Sequence, residues 1–225
     1  MVRIRWLGHA TFLIRFGEKK IIVDPWITGN PVCPIKLEEL ERVDHVVVTH
    51  SHGDHLGDAI EIAKRDSAKL IAIYEIAKDA EEKGVKNVVG GNIGGWIEVD
   101  GIKYMLTPAL HSSEKGAPTG VIMSNGSIAI YHAGDTGLFS EMELLGRMYK
   151  IDVALLPIGG VYTMGPYEAS IATFLLRPKI VIPMHYNTFP AITQDPETFK
   201  EYVKRVAPGV NVRILKPGEE VEIRI

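Results

Sequence analysis

The chain has 225 residues, 46% of them hydrophobic and 24% charged, with a formal net charge of -3. Those values exclude a disordered, collagen-like or low-complexity polypeptide and suit one globular domain over 1–225. Lys+Arg 25 against Asp+Glu 28 leaves no basic excess to coat a nucleic-acid backbone. No apolar run reaches the ~18 residues of a membrane span, and no secretory h-region opens the sequence. The single cysteine, Cys33, has no partner for an internal disulfide, so the expected setting is cytosolic (cytoplasmic).

In chain order, Val2–Leu7, Thr11–Phe16 and Lys20–Val23 read as three short strands of an antiparallel meander. A turn-rich loop over 24–31 and a short helix near Leu37–Glu41 lead to a strand at Val43–Thr49. Val46-Val47-Val48 is apolar throughout, the pattern of a strand covered on both faces. Leu56–Lys64 is expected to be a helix, Lys69–Ile73 a strand and Glu75–Lys83 a helix with Gly84 just past its end. Gly90–Gly95 lacks the Lys-Ser/Thr of a phosphate loop and reads as a tight loop. Asp100-Gly101 and Asn125-Gly126 mark two hairpins, between Trp96–Val99 and Lys103–Thr107 and between Val121–Ser124 and Ser127–Tyr131. Helices are expected at Glu141–Met148, Tyr167–Leu176 and Pro196–Val206, the last capped by Asp195. Strands are expected at Val153–Leu156, Ile180–Pro183, Val212–Leu215 and Val221–Ile225. The whole is an α/β protein with two mixed sheets and outer helices.

The chemistry concentrates at His50-Ser51-His52-Gly53-Asp54-His55, directly after the buried strand and before a helix. Alternation puts His50 and His52 on one side, where they can grip one ion. Asp54 and His55 lie beyond Gly53 and can reach a second. Imidazole nitrogen with carboxylate oxygen suits zinc, and also manganese or iron. Three further metal-competent residues each follow an apolar strand: His111, Asp135 and His185.

This order of motifs resembles the metallo-β-lactamase superfamily: His50-x-His52-x-Asp54-His55, a later His111, Asp135 in Gly134-Asp135-Thr136, and a final His185. The resemblance implies a four-layer αββα sandwich and two divalent metal ions. On that mapping His50, His52 and His111 hold one metal, Asp54, His55 and His185 the other, and Asp135 bridges them. Trp6-Leu7-Gly8-His9-Ala10-Thr11, Asp24-Pro25-Trp26, the segment 157–166 and Pro183-Met184-His185-Tyr186-Asn187-Thr188 are similar to a narrower branch. That branch comprises uncharacterised metal-dependent hydrolases related to L-ascorbate-6-phosphate lactonase and N-acyl phosphatidylethanolamine phospholipase D.

The implied mechanism is hydrolysis by a hydroxide shared between two ions ~3.5–4 Å apart, with Asp54 orienting the nucleophile. His9 is a candidate proton donor to the leaving group, with a structural role as the alternative. His45 and His132 read as structural. Asp24 ends a buried strand and is expected to bond a ligand histidine or the 50–55 loop. Tyr162, Thr163, Asn187 and Thr188 are candidate substrate contacts. The expected reaction is cleavage of an ester, lactone or phosphodiester in a small-molecule substrate of the cytosol. The alternatives are a nuclease or phosphodiesterase acting on nucleic acid, which the charge balance disfavours, and a non-catalytic metal-binding protein. No membrane partner is expected, and a homo-oligomer is left open.

Overall fold

A computed structural model of the chain describes residues 1–224. Ile225, expected at the end of the last strand, lies outside the described residues.

The elements run β1 (Val2–Trp6), β2 (Phe12–Phe16), β3 (Lys19–Val23), β4 (His45–Val47), α1 (Gly53–Leu56), α2 (Ala59–Asp66), β5 (Lys69–Ile73), α3 (Tyr74–Glu82) and β6 (Val88–Gly91). There follow β7 (Trp96–Val99), β8 (Ile102–Pro108), β9 (Thr119–Ser124), β10 (Ala129–His132), α4 (Met142–Met148) and β11 (Val153–Pro157). The chain continues with α5 (Pro166–Leu176), β12 (Ile180–Met184), α6 (Pro196–Val206), β13 (Asn211–Val212) and β14 (Glu220–Ile223). The short helix expected near 37–41 is a single 3₁₀ turn, Leu37–Glu39.

Two compact units emerge. The first holds Met1–Gly95, Ser112–Thr119 and Lys216–Arg224. Its seven-stranded sheet has the order β14-β1-β2-β3-β4-β5-β6. The first three strands form the expected antiparallel meander, with Ile4 opposite Ile14 and Ile14 opposite Ile21. From β3 to β6 the strands run parallel; α1 and α2 join β4 to β5, and α3 joins β5 to β6. All three residues of β4 are buried, as a strand covered on both faces requires.

The second unit holds Trp96–His111 and Gly120–Leu215. Its sheet has the order β13-β12-β11-β10-β9-β8-β7, mixed again, with β10, β11, β12 and β13 parallel. The β7–β8 hairpin turns at Asp100-Gly101, both with positive φ as a type I′ turn demands. Asp195 caps α6 by accepting from the Glu197 N–H at 3.0 Å.

Three local expectations are corrected. The helix expected over Leu56–Lys64 is two helices, α1 and α2, broken at Gly57. A Cβ at Gly57 would sit 2.5 Å from the Pro25 carbonyl oxygen, and its φ is +39, so only glycine lets the chain pass there. Gly90-Gly91 is not a loop but the end of β6, paired with Ala72 and Ile73. The strand expected at Val212–Leu215 pairs only through Asn211–Val212.

Candidate metal centre

Parallel strands gather their carboxyl ends along one sheet edge, the usual place for a site in an α/β protein. In the first unit β3 and β4 lie side by side with Val23 opposite Val47. The residues just beyond them are therefore neighbours. Asp24 turns immediately after β3 with φ +45, and its N–H donates to the Val47 carbonyl at 2.9 Å. Its carboxylate is wholly buried. It accepts from Thr49 N–H at 2.8 Å and Thr49 Oγ1–H at 2.7 Å. His55 Nδ1 lies 2.8 Å from Asp24 Oδ2. Anchoring His55 through Nδ1 makes Nε2 the nitrogen that it presents as a ligand. The expected role of Asp24 thus has a specific partner, His55, and the charge of the carboxylate is shared by three donors.

His50 and His52 straddle Ser51, and their Nε2 and Nδ1 atoms lie 3.0 Å apart. Two ligands ~2.1 Å from one ion in tetrahedral array sit about 3.4 Å apart, so this spacing is near that of a shared ion. Thr49 Oγ1 lies 3.1 Å from His50 Nδ1 and orients that ring. The ligand atoms of His9, Asp54 and His55 also lie within 4.8 Å of one another. His9 is fully buried, with Nε2 3.1 Å from Asp54 Oδ2 and its ring edge-on to Trp26. His45 is buried in β4 rather than at a surface.

In the second unit His111, Asp135 and His185 follow the carboxyl ends of β8, β10 and β12, and β10 and β12 run parallel through β11. His185 Nε2 lies 3.0 Å from Asp135 Oδ2, and His111 Nε2 lies 3.5 Å from the same oxygen. Asp135 and His185 are buried. The loop following β10 is set by its neighbours: Gly134 N–H donates to His132 Nδ1 at 3.1 Å, Leu110 N–H to Thr136 Oγ1 at 2.9 Å. His132 is therefore a structural residue of that loop. Tyr186, next to His185, has its phenol pushed up to about 12 by burial, so it stays protonated at neutral pH.

Among the candidate substrate contacts, Tyr162 is exposed, Thr163 half-buried and Thr188 buried. Asn187 spends its side-chain oxygen within its own loop, accepting from Gln194 N–H at 2.8 Å. Two residues were missed by sequence reasoning. Ser51 Oγ accepts from the N–H groups of Glu114 and Lys115, both at 2.9 Å, and so ties the 112–115 segment to the histidine loop. Thr136 links the 108–111 and 158–165 loops, its carbonyl accepting from Met164 N–H at 3.0 Å. Both sit beside a ligand candidate, the only signal that the sequence offers.

The donor set is imidazole nitrogen and carboxylate oxygen, with buried rings fixed at their second nitrogen, and it fits divalent zinc, manganese or iron.

Residues 3–185 match the family model described as a β-lactamase superfamily domain. A protein of Caldivirga maquilingensis named "UPF0173 metal-dependent hydrolase" is 51% identical over 99% of this chain and 98% of its own. One of the same name from Staphylothermus marinus is 54% identical over 97% and 98%. The solved structure of Igni18, described as a novel metallo hydrolase from the hyperthermophilic archaeon Ignicoccus hospitalis, superposes with a TM-score of 0.95 at 47% identity. That match covers 100% of this chain and 99% of Igni18. The two mixed seven-stranded sheets with their helices are thus the metallo-β-lactamase fold, and the chain belongs to that superfamily. Within it the chain falls among the UPF0173 metal-dependent hydrolases.

Proposed function

We propose that this chain hydrolyses an ester, lactone or phosphodiester bond of a small cytosolic metabolite at a dinuclear metal centre, with 1–225 acting as one catalytic domain. His50, His52 and His111 would hold one ion, Asp54, His55 and His185 the other, and Asp135 would bridge them. The observation that carries the reading is the approach of His111 and His185 to one oxygen of Asp135, at 3.5 and 3.0 Å. A carboxylate flanked by two imidazoles is suited to lie between two ions. The names of the relatives support metal-dependent hydrolysis. A single cysteine supports a cytosolic setting, and among the described residues no helix is long and apolar enough to cross a membrane.

When bound, divalent ions such as zinc would supply Lewis acidity and bring the pKa of a bound water toward ~7. The chain's own residues do the remaining work. Asp24 fixes the His55 tautomer. His9 holds Asp54 Oδ2 from a buried position, and in this reading it positions that carboxylate instead of protonating a leaving group from the cleft edge.

The test is elemental analysis with a broad hydrolase screen on metal-loaded protein, beside His50→Ala and Asp135→Ala. Two metals per chain with turnover, both reduced in Asp135→Ala, is the expected result. Full metal occupancy in Asp135→Ala would refute the bridging role. Metal loading without turnover of any ester, lactone or phosphodiester would refute the hydrolase reading.

A further inference from the structure

We infer that the substrate is uncharged near the scissile bond and carries an alkyl or aryl group that rests on an apolar rim formed by Leu110, Val161, Tyr162 and Phe189. This rests on the hydrolase reading above and narrows its substrate class to carbonyl compounds.

The four side chains are 59%, 76%, 57% and 37% exposed. They stand on the loops that follow β8, β11 and β12, two of which carry His111 and His185. Those loops are stitched together and to the Asp135 loop. Leu110 N–H donates to Thr136 Oγ1, and Gly137 N–H to the Leu110 carbonyl at 3.0 Å. Met164 N–H reaches the Thr136 carbonyl, and Gln194 Nε2 reaches the Gly159 carbonyl at 3.2 Å. A Cβ at Gly159 would lie 2.3 Å from the His185 carbonyl oxygen, which shows how closely the 158–165 loop is pressed on the His185 segment. The rim is therefore anchored to the ligand-bearing backbone.

Val161 is the sharpest part of the observation. Its φ is +57, and Tyr162 N–H donates to the Gly160 carbonyl at 2.5 Å, a γ-turn of the positive-φ type. A β-branched residue is an outlier in that region, where glycine or asparagine would be cheaper. The turn directs two large apolar side chains into solvent, against the hydrophobic effect, beside a candidate active site. Exposed apolar groups on loops tied together in this way point to a binding surface.

Charge points the same way. Residues 108–111, 134–139, 158–165 and 185–194 include no lysine or arginine, and Lys115, further along the loop after β8, is paired with Asp79. Beyond the ions themselves, phosphoryl groups are recognised by guanidinium or ammonium groups or by a helix N-terminus. The helix that follows this loop, α5, begins with Pro166 and has Glu168 in its first turn, so its N-terminus already holds a carboxylate. A neutral ester, lactone or amide with an apolar substituent matches this lining, and a phosphodiester does not.

The experiment has a binding arm and a turnover arm, both on metal-loaded protein. Affinities for acetamide, butanamide, hexanamide and octanamide are measured by ligand-observed NMR for wild type, Val161→Ser/Tyr162→Ser and Phe189→Ser. Because each buried methylene strengthens binding severalfold, wild type should gain at least about tenfold from butanamide to octanamide. The variants should flatten that gain at an unchanged melting midpoint. Comparable kcat/KM values are then taken for 4-nitrophenyl acetate, 4-nitrophenyl hexanoate and bis(4-nitrophenyl) phosphate, with the hexanoate expected to lead. Affinity independent of chain length, or equal length dependence in both variants, would overturn the rim. A phosphodiester turned over faster than either ester would overturn the substrate class. Length-dependent amide binding with no turnover of any of the three would sustain the rim and count against the hydrolase reading alone.

Discussion

Asp24→Asn tests the link between the buried framework and metal binding. The carboxylate has no exposed surface and accepts from three donors, Thr49 N–H, Thr49 Oγ1–H and His55 Nδ1, at 2.7–2.8 Å. Asparagine is nearly isosteric and tolerates the φ of +45, so the backbone is not the variable. Its carbonyl oxygen can keep the Thr49 N–H. Its amide group then faces His55 Nδ1, and two donors cannot bond each other. His55 must accept at Nδ1 and move its proton to Nε2, the nitrogen offered to metal. Losing one charge-assisted buried hydrogen bond costs about 1.5–3 kcal/mol. With ~2 kcal/mol lost, the metal-free melting midpoint should fall by about 4–8 °C for a chain of this size. Metal affinity should fall ~10–100-fold, the usual effect of removing an outer partner of a ligand histidine. Competition against a chelating zinc indicator reads the affinity, and thermal unfolding without metal reads the stability. A zinc affinity within about threefold of wild type would refute the argument that Asp24 sets the His55 tautomer.

Ser51→Ala removes the acceptor of two backbone N–H groups; hydrogen exchange at Glu114 and Lys115 should quicken and ~1–3 kcal/mol of stability be lost, whereas unchanged protection would show that the tie is idle. Cys33 has its thiol pushed up by burial, so alkylation by iodoacetamide at pH 8 should be slower than for free cysteine, and Cys33→Ser should keep full metal content. A faster alkylation than free cysteine would contradict the buried-thiol argument. Burial alone would raise the Asp66 carboxyl, but the hydrogen bonds from Arg65 and Val43 N–H and the charges of Arg65 and Arg42 hold it lower than usual. A depressed carboxylate stabilises the fold above its unfolded pKa of ~3.9 and loses that contribution as pH falls through the folded value. The melting midpoint of wild type should therefore fall more steeply below about pH 4 than that of Asp66→Asn, and parallel curves would exclude the contribution.

The features that the sequence exposes most clearly are those with local causes. His50-Ser51-His52-Gly53-Asp54-His55 follows an apolar strand, and a dense run of donors at a strand end has few other uses. His111, Asp135 and His185 were recognisable for the same reason. What the sequence conceals is long-range. The pairing of β14 with β1 joins chain segments 1–6 and 220–223, and no local pattern encodes it. Gly57 interrupts a helical pattern because Pro25 and Trp26 pass beside it, a neighbour that periodicity cannot reveal. The contact of His9 with Asp54 spans 45 residues, and the sequence around His9 does not reveal that it is buried. Ser51 hides between two more conspicuous histidines, and its partners are 63 and 64 residues away.

Backbone conformation explains how several of these distant groups are held at the sheet edge instead of continuing as ordinary strand residues. Among the described residues, His9, Asp24, His185 and Asn187 all have positive φ, between +45 and +59. Each such non-glycine residue costs of order 1–3 kcal/mol unless its surroundings compensate. Glycine would remove that cost but has no side chain to offer. A strand that simply continued would carry the next side chain away from the sheet edge and alternate its face. Turning within one residue of the strand end keeps the side chain at the edge, where side chains from neighbouring strands converge. Asp24 and His185 are the clearest cases, each the first residue after its strand. At Asp24 the turn is offset by three hydrogen bonds, and at Asn187 by the Ile192 carbonyl accepting its N–H at 2.9 Å and by the Gln194 bond. Positive φ is shared by these four residues but is not confined to them, since Asp100 adopts it in a hairpin and Ser67 and Arg177 at helix ends. Val161 has the same backbone state without a polar side chain, so at that position the strain places no candidate ligand.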